Sequence, residues 1–165
     1  MNKILLFFLI FIVNCSQPTP DQRNNLIEEL NLNKFRKNTY TTKFFNIFSL
    51  EKIKNDKKLT IYIEGDGVSW VDRFTPSSNP TPTDPLAFKM ALIDEGENVI
   101  YLARPCQYVW SDICNKDIWT IAQYSSVVLD SYKEIINHLS KTHKEIHLVG
   151  YSGGAGIAMY LSSLE

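Results

Sequence analysis

The chain has almost no surplus of charge: 17 Lys and Arg stand against 18 Asp and Glu, a net −1 at neutral pH. A nucleic-acid surface needs a basic excess or a basic stripe, so that class of partner is excluded. Long apolar runs are missing as well. The longest, residues 4–13, covers ten positions, and a bilayer-crossing helix needs about 20. Phosphate-binding loops are absent: there is no G-K-[ST], and Met159 stands where a G-x-G-x-x-G pattern needs its third glycine. Cysteine and histidine are scarce, three of each, and no further zinc-type ligands flank the cysteines. No metal and no organic cofactor are implied. With 165 residues and 44% hydrophobic content, enough remains to build one ordinary globular domain.

The most informative stretch is 146–156. An apolar run, Ile146-His147-Leu148-Val149, ends at Gly150-Tyr151-Ser152-Gly153-Gly154, and a small-residue segment follows at once. This is G-x-S-x-G in a strand–turn–helix context, the setting of a nucleophile elbow. Gly150 and Gly154 let strand and helix approach closely, and the turn holds Ser152 in a strained conformation at the sheet's C-terminal edge. The Gly153 N–H, in the first turn of the helix, faces the same point and can stabilise an oxyanion. The competing reading is a glycine-rich turn with an incidental serine.

At the other end, Lys3 precedes the apolar run and Cys15 closes it. The order resembles a bacterial lipobox, in which the cysteine is lipidated and becomes the mature N-terminus. That resemblance implies a signal peptide over 1–14, a lipid-anchored tether and lead-in over 15–34, and a place in the cell envelope outside the cytoplasm. A plain signal peptide or an uncleaved anchor is the alternative. Pro18 and Pro20 fall in the aperiodic stretch 16–25, read as tether. Leu26, Ile27 and Leu30 suggest one short helix.

Between Phe35 and Leu50 the aromatic and β-branched residues predict two strands, and 55–58 is a polar turn. Residues 59–63 and 99–103 are short apolar runs, as buried parallel strands require. Asp84-Pro85 predicts a helix start, with Leu86, Met90 and Ile93 on one face and Gly96 just past its end. The clearest helix is 119–140, with Tyr124, Val128, Tyr132, Ile135 and Leu139 at helical spacing. Residues 68–83 form a long irregular loop at the catalytic edge, where Trp70 lines a pocket or covers the core. In an exported chain Cys106 and Cys114 read as a disulfide. A zinc site and two free thiols are the alternatives.

Four segments then stand in order: Tyr62-Ile63-Glu64-Gly65-Asp66-Gly67, Asn79-Pro80-Thr81-Pro82-Thr83-Asp84-Pro85, Ala103-Arg104-Pro105-Cys106-Gln107-Tyr108 and Gly150-Tyr151-Ser152-Gly153-Gly154. Together they resemble a family of bacterial exported α/β-hydrolases, often lipoproteins. The resemblance runs from about Phe44 onward. It implies an α/β fold, the N-terminal portion of an α/β-hydrolase over 35–165, with a mostly parallel sheet flanked by helices. It implies a serine hydrolase acting on an acyl or ester small molecule, with Ser152 as nucleophile. By the same analogy the second oxyanion donor is the Asp66 N–H, with Gly65 or Gly67 as alternates. The Asp66 carboxylate invites a general-base role, but an Asp in a glycine-rich turn is more often a turn former.

In α/β-hydrolases an Asp or Glu and then a His follow the serine. Here thirteen residues follow Ser152, and His138, His143 and His147 all precede it. The expectation is therefore a C-terminally truncated or split hydrolase, inactive alone, with a complementing C-terminal chain as partner. The alternative is a non-catalytic lipoprotein that uses the scaffold for binding or assembly.

Overall fold

The computed structural model describes residues 18–164. Cys15 and the signal segment lie outside them. The elements run α1 (Pro20–Asn31), β1 (Arg36–Thr41), β2 (Asn46–Lys52), β3 (Lys58–Ile63), α2 (Leu86–Ile93), β4 (Val99–Leu102), α3 (Lys116–Trp119), α4 (Ser126–Leu139), β5 (Glu145–Gly150) and α5 (Gly153–Ser162). One sheet carries all five strands in the order β1-β2-β4-β3-β5. β3 pairs in parallel with β4 and β5, while β2 is antiparallel to β1 and β4. All strands but β2 therefore point the same way. The chain is an α/β protein with a mixed, mostly parallel sheet.

Strand alternation sorts the side chains into two cores. Leu59, Ile61 and Ile63 of β3, with Ile100 and Leu102 of β4, face α4 and α5. Val99 and Tyr101 of β4, with Phe48 and Leu50 of β2, face α1 and α2. Each large side chain buried in this way contributes on the order of 1.5–3 kcal/mol. β4 is buried at every position, the reason for its unbroken apolar sequence. β5 pairs with β3 and with no other described strand, and its residues are half-buried or exposed.

Three helices depart from expectation. α1 starts at Pro20, within the stretch read as tether, because Thr19 and Gln22 form a capping box that satisfies its first turn. In α2, Pro85 occupies the N-cap position and makes no side-chain cap; Asp84 pairs with Lys89 instead. Its buried face is Ala87, Phe88 and Ala91, while Ile93 is exposed. Ala87, Phe88 and Ala91 pack in one cluster with Val99 and Tyr101 of β4 and Phe48 and Leu50 of β2. The helix expected over 119–140 breaks: α3 is a single turn, and α4 begins only at Ser126. Val128, Tyr132, Ile135 and Leu139 are buried as expected. Tyr124 sits in the break, where its hydroxyl donates to the Gly153 carbonyl oxygen at 3.1 Å. Among the described residues no helix is long and apolar enough to cross a membrane.

Candidate active site

β5 delivers the chain to Ser152, which has φ 50° and ψ −120°, and α5 starts at the next residue. A non-glycine residue at positive φ costs about 1–3 kcal/mol and persists only where its surroundings fix it. Here the Tyr151 N–H donates to Ile63 O at 3.1 Å, and the Ala155 N–H donates to Ser152 O at 3.0 Å. The two flanking glycines are needed for contact. A Cβ on Gly150 would lie 2.3 Å from Gly154 O, and one on Gly154 would lie 2.3 Å from Ile63 O. Ser152 itself is exposed.

Residues 64–67 lie against this turn. A Cβ on Gly65 would stand 3.3 Å from the Ser152 Cβ, and one on Gly153 would stand 2.0 Å from Asp66 Oδ1. The Gly65 N–H donates to Glu64 Oε1 at 2.8 Å, which removes it as an alternate oxyanion donor. Among the described residues the N–H groups of Asp66, Gly67 and Gly153 donate to no protein acceptor. Asp66 and Gly153 are thus free to serve as the expected pair.

The Asp66 carboxylate is committed elsewhere. Arg104, buried, donates from Nη1 to Asp66 Oδ1 at 2.8 Å and from Nη2 to Gln123 O at 2.8 Å. Its guanidinium also lies 5.6 Å from the Tyr124 ring centroid. A carboxylate held by a buried guanidinium favours the structural role over that of a base. Gln107, fully buried, is a site residue that sequence reasoning missed. Its Oε1 accepts from the Arg104 N–H at 3.0 Å, and its Nε2 donates to Gly65 O at 3.0 Å and to Pro80 O at 3.3 Å. The one available signal was its place in the segment after β4, beside the cysteine.

Cys106 and Cys114 form a disulfide with Cα atoms 5.8 Å apart, which excludes the zinc and free-thiol alternatives. The bridge closes the loop that carries Gln107, and both neighbours of Gln107, Cys106 and Tyr108, have positive φ. Among the described residues no three His, Cys, Asp or Glu side chains are grouped to hold a metal ion.

Ser152 opens onto a cavity of about 520 Å³, lined also by Glu64, Asp66, Trp70, Trp119 and Tyr151. Trp70 therefore lines the pocket. Burial pushes the Glu64 carboxyl above its ordinary range, and hydrogen bonds from the Gly65 and Ala87 N–H groups oppose that shift. Its second oxygen, Oε2, has no partner. None of the three histidines lines the cavity. His147 is exposed on β5 and paired with Glu145, and His143 is buried beyond the C-terminal end of α4 with Nδ1 3.3 Å from Leu139 O.

Compared with known proteins, the chain matches no protein-family model, no curated protein and no solved structure.

Proposed function

We propose that this chain carries the nucleophile and oxyanion hole of an α/β-hydrolase that cleaves an ester or related acyl small molecule. One observation carries the reading: Ser152 is held at positive φ between strand and helix, at a cavity mouth, beside two unengaged N–H groups. The strand order and the position of residues 64–67 after β3 support it. In the reaction, Ser152 Oγ attacks the acyl carbon and its proton passes to a base. The N–H groups of Gly153 and Asp66 hold the oxyanion, the C–O bond to the leaving alcohol breaks, and water then releases the acyl group.

Among the described residues no histidine lines the cavity, and on this reading the base is a histidine supplied by a complementing segment. A segment carrying it has a docking edge in β5, the strand that leads to Ser152. That same missing base favours a second reading, a lipoprotein that binds through the scaffold without turnover. The lysine, apolar run and Cys15, together with a disulfide suited to an oxidising compartment, support a lipid anchor and a place in the cell envelope.

The test is hydrolysis of short nitrophenyl esters by the full chain, alone and co-expressed with the polypeptide encoded immediately downstream. Without a base, turnover should fall on the order of 10⁶-fold below that of a complete enzyme. With the complementing polypeptide, activity should rise and should vanish in Ser152→Ala. Binding of an acyl ligand with no turnover under either condition supports the second reading. Robust Ser152-dependent turnover by the full chain alone refutes an external base, and Asp66 becomes the first residue to test.

A further inference from the structure

Residues 68–79 fold into a short hairpin at the rim of the cavity. The Ser77 N–H donates to Ser69 O at 2.9 Å, Trp70 and Pro76 form a bridge, and the Val71 N–H donates to Thr75 O at 2.8 Å. At the tip, Asp72 Oδ1 accepts from the N–H groups of Phe74 and Thr75 at 2.8 and 2.9 Å. That oxygen is turned back on the backbone, and the bonds favour the ionised form of an Asp72 that is itself exposed beside Arg73. The apolar side chains do the opposite: Trp70 is 44% exposed, Val71 65% and Phe74 80%. Arg73 lays its guanidinium 5.4 Å from the Phe74 ring centroid. An aromatic and β-branched tip flanked by one arginine matches the chemistry of the interfacial zone of a bilayer, where tryptophan and arginine both concentrate.

The base of the hairpin is tied to the start of the described chain. Arg23, itself buried, donates from Nε to Pro18 O at 2.9 Å, and from Nη1 to Asn79 O at 3.1 Å and Thr81 O at 2.9 Å. Pro18 and the root of the hairpin thus share one guanidinium. Cys15 stands three residues before Pro18, a reach of roughly 11 Å at full extension. An acyl chain on Cys15 would thus be tethered within that reach of Pro18, which shares Arg23 with the root of the hairpin.

We propose that the hairpin tip, Trp70, Val71 and Phe74, is a lipid-bilayer docking surface that seats the cavity mouth against the membrane. The proposal rests on the reading of Cys15 as the anchor site. A lipidated cysteine at the end of a tether holds the chain at a bilayer but leaves the orientation of the domain free. The apolar tip is the second contact that fixes it. Trp70 also lines the cavity onto which Ser152 opens, so a docked tip sets the cavity mouth beside the bilayer.

The test uses the full chain purified from membranes and reconstituted into phosphatidylcholine–phosphatidylglycerol vesicles whose acyl chains are brominated near the headgroup. The fluorescence assigned to Trp70 is the difference between wild type and Trp70→Phe. Brominated lipid should quench about half of it or more, and the doubly substituted Val71→Asp, Phe74→Asp chain should lose that quenching while keeping its circular dichroism spectrum. Mass spectrometry of Cys15 separates the two levels of the argument. An acylated Cys15 with an unquenched Trp70 overturns the docking surface and leaves the anchor standing. An unmodified Cys15 removes the anchor, and flotation of the chain with the same vesicles then decides. Flotation reduced about tenfold by the double substitution upholds the surface; no flotation, or flotation indifferent to it, refutes it. Protection of the tip by a bound protein, without quenching, also refutes it.

Discussion

Gln107 Nε2 donates to the carbonyl oxygen of Gly65 at 3.0 Å, and the same planar peptide carries the Asp66 N–H on its opposite side. Fixing the carbonyl therefore fixes the direction of the N–H, and drawing electron density to the oxygen sharpens the N–H as a donor. The Gly153 N–H, the other donor of the proposed oxyanion hole, is held the same way: Ser152 O accepts from the Ala155 N–H at 3.0 Å. Both N–H groups are thus fixed in direction, the condition under which such dipoles would act most strongly in the proposed reaction.

Gln107→Ala should strand the buried Gly65 oxygen and cost about 1–3 kcal/mol in urea unfolding. The informative readout is local. Amide exchange at Gly65, whose N–H is bonded to Glu64 Oε1, should accelerate while amides in the centre of β4 change only with global stability. Unchanged exchange at Gly65 would separate Gln107 from the 64–67 loop.

The strain at Ser152 is measurable without any reaction. Glycine tolerates positive φ, and alanine does not. Ser152→Gly should therefore be more stable than Ser152→Ala by about 1 kcal/mol in thermal or urea unfolding. Equal stabilities would mean that the turn carries no stored conformational cost.

The Cys106–Cys114 bridge closes a sequence separation of eight, so replacing both cysteines with serine should cost about 2–3 kcal/mol. The loss should concentrate in the loop that carries Gln107. Limited proteolysis should cut between positions 106 and 114 well before it cuts β3 or β4. Uniform cleavage across the chain would contradict a local role.

Glu64 sets a pH dependence. Burial raises its carboxyl above the ordinary value of 4.5, so the folded protein binds this proton more tightly than the unfolded chain. Its contribution to stability is whole below pH 4.5 and is lost as pH rises through the raised folded value. Glu64→Gln removes that loss, so the variant should gain on wild type between pH 4.5 and neutrality, read from unfolding midpoints across that range. A constant difference between the two would place the group outside the titration.

The parts of the site that were legible in the sequence are those where local backbone chemistry has one solution. Gly150, Ser152 and Gly154 could be read because the turn admits no Cβ at the glycines, and the cysteine pair because an export-type N-terminus favours a disulfide. β4 could be read because burial at every position imposes an apolar run, and β3 because its buried positions Leu59, Ile61 and Ile63 carry the apolar signal. What escaped depends on partners distant in sequence. Arg104 and Asp66 are 38 residues apart, and Gln107 meets a carbonyl 42 residues away; neither spacing leaves a periodic trace. Tyr124 fits the stripe of α4 but bonds to Gly153 instead, so tertiary contact overrode helical spacing there. The buried face of α2 was misread because two of its three residues are alanines, whose small side chains give a weak hydrophobic signal.

Arg23 also has a mechanical meaning. It joins Pro18 O to Asn79 O and Thr81 O, and the oxygen of the intervening Pro80 accepts from the Val68 N–H and from Gln107 Nε2. Tension applied at Pro18 is therefore not absorbed within α1 alone. It passes through one guanidinium into the 79–81 segment, and from there, through Gln107, to the Gly65–Asp66 peptide. The first described residue and the atoms beside Ser152 lie on a single load path.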